Sequence, residues 1–159
     1  MANDVTPTKL PAPGDPRTVY ILDISGFVFR AYHALPPLSN SKGEPTHAVS
    51  GVVSMLEKLI EQQKPQWLLV AMDPKDGSFR NQLFDKYKAN RPPAPPDLSS
   101  QITRLRDVVD AWGMQVMEKA SFEADDLIAT AVDRARAAGL EVVVVSADKD
   151  LLQLVGEGV

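Results

Sequence analysis

Three short apolar runs, each closing on an aspartate, constrain this chain more than any other feature of it. They are TVYILD (18–23), QWLLVAMD (66–73) and EVVVVSAD (141–148). Each is rich in β-branched or aromatic residues and nearly unbroken, the composition of a strand buried on both faces. A weaker run, MQVME (114–118), is a fourth candidate. Helical patterns fill the gaps. Val49, Val52, Val53, Leu56, Leu59 and Ile60 recur at threes and fours until Pro65 stops them. Leu98, Ile102, Leu105, Val108 and Val109 repeat that spacing after Asp97, the expected helix start. Ala124, Leu127, Ile128, Ala131, Val132 and Ala135 form a third stripe, with Ser121 expected to cap its start and Gly139 its end. Leu151, Leu152 and Val155 suggest a short last helix. Strands alternating with helices predict an α/β fold of three layers, α/β/α, around a central mostly parallel sheet.

In an open parallel sheet, ligands bind beyond the carboxyl ends of the strands. Asp23, Asp73 and Asp148 are therefore expected at one edge. A helix following the fourth strand starts there too, and its first turn carries Glu123, Asp125 and Asp126. Asp150 lies two residues past Asp148. Each acid has an ordinary explanation by itself. Acids in a first helical turn offset the helix dipole by about 0.3–1 kcal/mol each. A strand-end aspartate often caps a turn, and DKD suits an N-cap. Seven together repel one another unless a counter-ion intervenes, and a divalent metal is the economical remedy. All-oxygen donors in a chain without cysteine favour Mg²⁺ or Mn²⁺ over Zn²⁺. Such ions serve phosphoryl chemistry, a pair about 3.5–4 Å apart holding the attacking and leaving oxygens in line. Other chemistries are thinly represented. The histidines are His33 and His47, there is no cysteine nucleophile, and no Gly-rich phosphate loop follows the first strand.

The net charge is −4, but it is unevenly spread. Seven bases face three acids between residues 74 and 106, and nine acids face four bases from 118 onward. The basic stretch contains PKDGSFRNQLFDKYKANRPPAPP (74–96), longer than an ordinary connection. Phe79, Leu83 and Tyr87 recur every four residues, so part of it is expected to be helical before the prolines break it. Arg80, Lys86, Lys88 and Arg91 are candidate phosphate contacts, with Tyr87 as a stacking platform. An exposed helix with solubilising charge is the plainer alternative. Residues 1–17 hold four prolines and read as a flexible arm. No run approaches the roughly 20 apolar residues of a membrane span and no signal segment opens the chain, so no membrane partner is expected. The cysteine-free composition fits an intracellular protein.

Four segments carry a resemblance: ILDISGFVFRAYHALPPLSNSKGEPTHAVSGVVSML, FRNQLFDKYKANRPPAPPDL, EADDLIAT and SADKDLLQLV. From about Val19 to Val155 the chain resembles the 5′ nuclease domain of bacterial DNA polymerase I, a flap-endonuclease relative with a PIN-like fold. The resemblance implies a PIN-like domain over 18–159 with a basic helical arch at about 74–96. It implies a structure-specific 5′ nuclease that hydrolyses DNA at 5′ flaps, nicks and RNA primers during replication and repair, using Mg²⁺ or Mn²⁺ at two positions. By motif, Asp23, Asp73, Glu123, Asp125, Asp126, Asp148 and Asp150 match the family's metal-binding acids. Lys88 and Arg91 match catalytic arch residues that contact the scissile phosphate. Arg30, Arg80, Tyr87, Lys88 and Arg91 match DNA contacts. It further implies a bacterial, cytoplasmic, nucleoid-associated protein, with a polymerase domain as a candidate partner in the same native chain. Two departures stand out. The family usually places glycine after the first aspartate, where this chain has Ile24. Its helix–hairpin–helix region, which adds acids for the second metal, would follow Val159, so the second position is expected to be incomplete. A non-catalytic fragment that binds DNA 5′ ends and a PIN-like ribonuclease are the alternatives.

Overall fold

A computed structural model describes residues 10–90 and 92–159. All four apolar runs form strands: β1 (Thr18–Asp23), β2 (Trp67–Ala71), β3 (Gln115–Met117) and β4 (Glu141–Val145). They make one parallel sheet in the order β3-β2-β1-β4. All six residues of β1 are buried. It lies between two neighbours, Ile21 pairing with Leu69 on one side and Val144 on the other. A strand covered on both faces has no use for polar alternation, which is why TVYILD reads as unbroken.

Helices α1 (Ile24–Ala34), α2 (His47–Gln63) and α4 (Pro96–Ala111) cover one face. There Leu22 and Val70 pack with Val52, Leu56, Leu105 and Val109. Helix α5 (Ala124–Ala137) and a 3₁₀ helix (Lys149–Leu154) cover the other, where Ile21 and Ala71 pack with Ile128, Val132 and Leu151. Neighbouring residues of a strand point to opposite faces, so Ile21 and Leu22 serve different cores. Burying side chains of this size contributes roughly 1.5–3 kcal/mol each. This is the three-layer arrangement expected from the alternation of patterns.

Some local details differ from expectation. Helix α1 is additional. Its Ile24 and Val28 are buried one turn apart, but Ser25 and Gly26 lower helix propensity between them and hide the pattern. The start of α5 is capped by Glu123, not Ser121, which sits in a left-handed turn at φ 70°. Helix α4 begins at Pro96, a residue pre-set for the first helical position, and Asp97 follows inside the first turn. In the basic excursion the helical part is α3 (Phe79–Leu83). Phe84 is extended (φ −148°, ψ 102°) and ends it, so the four-residue repeat does not carry on to Tyr87 as helix. Within the expected arm, Gly14 N–H donates to the Gln63 carbonyl at 2.8 Å, and the Trp67 indole donates to the Pro16 carbonyl at 3.0 Å. Residues 1–9 lie outside the described residues. Among the described residues no helix is long and apolar enough to cross a membrane.

The connections from β1 to β2 and from β2 to β3 run over one face, whereas α5 carries the chain from β3 to β4 over the other. Adjacent strands β1 and β4 are therefore followed by chain that departs in opposite senses. A crevice opens at such a switch point, beyond the carboxyl ends of the strands.

Candidate active site: an acidic cleft beneath a basic segment

A cleft of about 190 Å³ occupies that crevice, and Asp23, Asp73, Glu123, Asp125, Asp148 and Asp150 line it. Lys88 is the one basic side chain lining it among the described residues, beside Tyr87 and Phe29. Strand ends and one helix start thus deliver six of the seven predicted acids to one opening.

The fold fixes these acids one by one. Asp23 ends β1 and caps α1, its Oδ1 accepting from the Gly26 N–H at 3.1 Å and its Oδ2 from the Ser146 hydroxyl at 2.7 Å. It is buried, as few unpaired carboxylates are. A Cβ on Gly26 would stand 2.7 Å from Asp23 Oδ2, so the close approach needs glycine there. Ile24 is the first residue of α1 and fully buried in the core, and Asp23 keeps ordinary dihedrals (φ −81°, ψ 91°). The family's usual glycine after this aspartate is therefore not required by the backbone here. Asp73 Oδ1 accepts from the Ala124 N–H at 2.9 Å, tying the end of β2 to the start of α5. The Asp73 N–H donates to Ser25 Oγ at 3.1 Å. Asp148 Oδ1 accepts from the Asp150 N–H at 2.9 Å, capping the 3₁₀ helix. Arg106 ties the rim from behind, donating to the Asp73 carbonyl at 3.1 Å and pairing with Glu118.

The seventh acid goes elsewhere. Asp126 accepts a two-pronged contact from Arg80 at 2.7 and 2.6 Å, and its Oδ2 also accepts from the Glu123 N–H at 3.0 Å. Arg80 and Asp126 line a neighbouring hollow with Ala129, Leu151 and Leu154. The hydrogen bond from Arg80 holds the Asp126 carboxyl below its ordinary value, and the guanidinium is held charged in return. Glu123 is gripped by the basic segment. Lys88 donates to its Oε1 at 2.8 Å and Tyr87 to its Oε2 at 2.9 Å. Burial works to raise the Glu123 carboxyl, but the hydrogen bonds from Lys88 and Tyr87 outweigh it and the group is lowered.

Asp125 shows the opposite balance. Burial, then the nearby Asp148, Asp23 and Asp73, push it up to about 6, against a partial relief from Lys88. The cleft is therefore short of positive charge. Its donors are hard oxygens, with neither thiolate nor imidazole among them. Among the described residues no three acids are drawn into a ready-made ion cage. Carboxylates spread around a shared opening suit a hard cation that keeps several of its waters, so this donor set fits Mg²⁺ or Mn²⁺.

Arg30, a candidate DNA contact, lies on the exposed flank of α1, beside a groove lined by Phe27, Leu35 and Met55 rather than in the acidic cleft. Arg91 lies outside the described residues. Ser25, Gly26, Phe29, Ser78 and Ser146 are site residues that the sequence reasoning missed. The available signal was a small or hydroxyl residue placed within three positions of a strand-end acid.

A family model described as the 5′-3′ exonuclease, N-terminal resolvase-like domain matches residues 18–159. A 5′-3′ exonuclease of Aquifex aeolicus is 43% identical over 143 residues, spanning 90% of this chain and 50% of that protein. A DNA polymerase I of Deinococcus radiodurans is 42% identical over 149 residues, spanning 94% of this chain and 16% of that protein. The chain thus spans half the length of one relative and a much smaller share of the other. Among solved structures, a T5 5′-exonuclease with divalent metal ions (zinc) bound has a TM-score of 0.65 at 22% identity, covering 89% of this chain and 53% of that one. A bacteriophage T5 flap endonuclease complexed with DNA and metal ions has a TM-score of 0.63 at 20% identity, covering 89% and 53%. At these identities the structural likeness shows a shared fold.

Proposed function

This chain belongs to the 5′-3′ exonuclease family of N-terminal, resolvase-like domains, and we propose that its acidic cleft hydrolyses phosphodiesters of DNA at 5′ flaps, nicks or RNA primers. One observation carries the proposal. Acids from three strand ends and the start of α5 surround one opening that also receives Lys88. The metal-bound and DNA-bound T5 nucleases of the same fold support it.

Mg²⁺ or Mn²⁺ is the proposed cofactor, held by Asp23, Asp73, Asp125, Asp148 and Asp150, with Glu123 as a further donor. When bound, a divalent ion lowers the pKa of water and neutralises charge on the phosphate. A second ion position is proposed to be short of ligands within this chain. The residues themselves do the placing. The Gly26 and Ser146 donors fix Asp23, and the Ala124 N–H fixes Asp73, so the rim is set before substrate arrives. Lys88 is the proposed catalytic contact to the scissile phosphate, with Arg91 beside it in the chain. Tyr87 supplies a ring for stacking, and Arg30 and Arg80 are proposed contacts to the strand outside the cleft. In bacteria, such a module works on the nucleoid, in the same chain as a polymerase domain or free of one.

Incubating the chain with Mn²⁺ and a 5′-flap duplex tests this directly. Cleavage should fall by about 10²-fold or more in Asp125→Asn. Equal cleavage by both proteins removes the metal mechanism. A second reading, a module that binds DNA 5′ ends without cutting, is supported by the lack of a ready-made ion cage among the described residues. Flap binding in Ca²⁺ with no product in Mg²⁺ or Mn²⁺ would select it.

A further inference from the structure

Glu123 belongs to two structures at once. It lines the acidic cleft, yet both its oxygens are taken by the basic segment. Oε1 accepts from Lys88 at 2.8 Å and from the Ser78 hydroxyl at 3.2 Å, while Oε2 accepts from Tyr87 at 2.9 Å. Backbone hydrogen bonds of residues 84–90 close within the segment: Phe84 to Arg80, Tyr87 to Phe84, Ala89 to Lys86. The side chains of Tyr87 and Lys88 are what join it to the start of α5. Lys88 makes its contact from a left-handed backbone (φ 55°), a strained choice for a residue with a long side chain. Leu83 and Phe84 are meanwhile left exposed, so apolar packing does little to hold the segment down.

We infer that Glu123 is a positioning residue with two alternative partners. With no cation in the cleft it latches residues 84–90 through Lys88 and Tyr87. When a divalent cation enters, it gives both up and frees them for the phosphate. The inference rests on the cation reading of the cleft. Its physical basis is competition for one space. Lys88 is a single positive charge standing among acids, and a divalent ion placed there repels the ammonium and draws the same carboxylate. Cation binding and release of the segment are then linked, and each shifts the other.

Hydrogen exchange over residues 84–90 of the whole chain, without DNA, tests this while calorimetry follows Mn²⁺ binding. In the wild type, Mn²⁺ should speed exchange in the segment by about threefold or more. Glu123→Gln should exchange quickly before any Mn²⁺ is added, with no further change on addition. Lys88→Gln, which leaves the cap of α5 intact, should match it. Asp125→Asn should stay protected at Mn²⁺ concentrations that open the wild type. If both cation-free latch variants are as protected as the wild type, the latch is overturned. If Mn²⁺ binds and the wild-type segment stays protected, the exchange of partners is overturned. If calorimetry shows no Mn²⁺ binding at all, the cation reading fails with it, and the cation-free variants alone then judge the latch.

Discussion

Replacing Asp125 by Asn should make the cation-free protein more stable. The Asp125 carboxyl is raised from 3.8 to about 6, first by burial and then by Asp148, Asp23 and Asp73. A shift of that size corresponds to at most about 3 kcal/mol between the two protonation states. The group is partly exposed and solvent screens its neighbours, which reduces the effective figure to about 1–1.5 kcal/mol. The sign follows from the direction. A raised acid favours the protonated form in the folded state, so its penalty is absent below 3.8, grows as pH rises and is complete above about 6. Asparagine is never charged and escapes it. In a chelator, at about pH 7.5, Asp125→Asn should melt roughly 2–6 °C above the wild type, and the gap should close near pH 4. Saturating Mg²⁺ or Mn²⁺ should reverse the order, because the cation stabilises only the protein that keeps the carboxylate. Thermal unfolding at the two pH values, with and without cation, reads all of this. A variant that melts below the wild type at both pH values, or that gains as much from cation as the wild type does, refutes the reasoning.

Gly26→Ala should forfeit the roughly 1 kcal/mol a helix usually gains from that change, because its Cβ would stand 2.7 Å from Asp23 Oδ2. Denaturant midpoints should fall, with flap cleavage falling alongside. Gln101→Leu should cost about 1–3 kcal/mol by leaving the buried Ala48 and Val49 N–H groups at the start of α2 without their acceptor. A drop in melting temperature with flap binding unchanged is the expected result. Arg80→Met should destabilise by about 0.5–1 kcal/mol near neutral pH. Since Asp126 is held below its ordinary 3.8, that contribution exists above 3.8 and disappears as pH falls below it. Urea titrations across that range measure it.

The strands are legible because each is a local fact. A strand buried on both faces must be apolar at every position, and TVYILD and EVVVV announce it without reference to the rest of the chain. The edge at which their aspartates emerge follows from parallel topology alone. Helix α1 is harder to see, since its signal is two residues, Ile24 and Val28, separated by a serine, a glycine and a phenylalanine. The latch is not visible at all. Lys88 and Glu123 are 35 positions apart, and a chain with 17 bases and 21 acids offers many pairings of equal chemical merit. Folding selects this one because the Ser78–Ser121 bridge brings the basic segment beside the start of α5.

The run EADD shows why counting acids overstates a site. Consecutive helix residues stand about 100° apart around the axis, so Asp125 and Asp126 cannot both face the crevice. Helix α5 is fixed in rotation by Ile128, Val132 and Ala135, which must face the sheet. Once those three are buried, Asp125 is left toward the strand ends and Asp126 toward α3, where Arg80 meets it. The apolar stripe therefore divides the two neighbours between two tasks, one shaping the charge of the cleft and the other anchoring the segment above it. Exchanging them, as Asp125→Asn and Asp126→Asn in parallel, should separate the tasks. The first should weaken Mn²⁺ binding by tenfold or more, about 1.4 kcal/mol, and leave the segment protected. The second should loosen residues 79–90 in hydrogen exchange and leave Mn²⁺ affinity within about threefold of the wild type. Equal losses of Mn²⁺ affinity in both would mean that the rotation of α5 does not decide which acid serves the cleft.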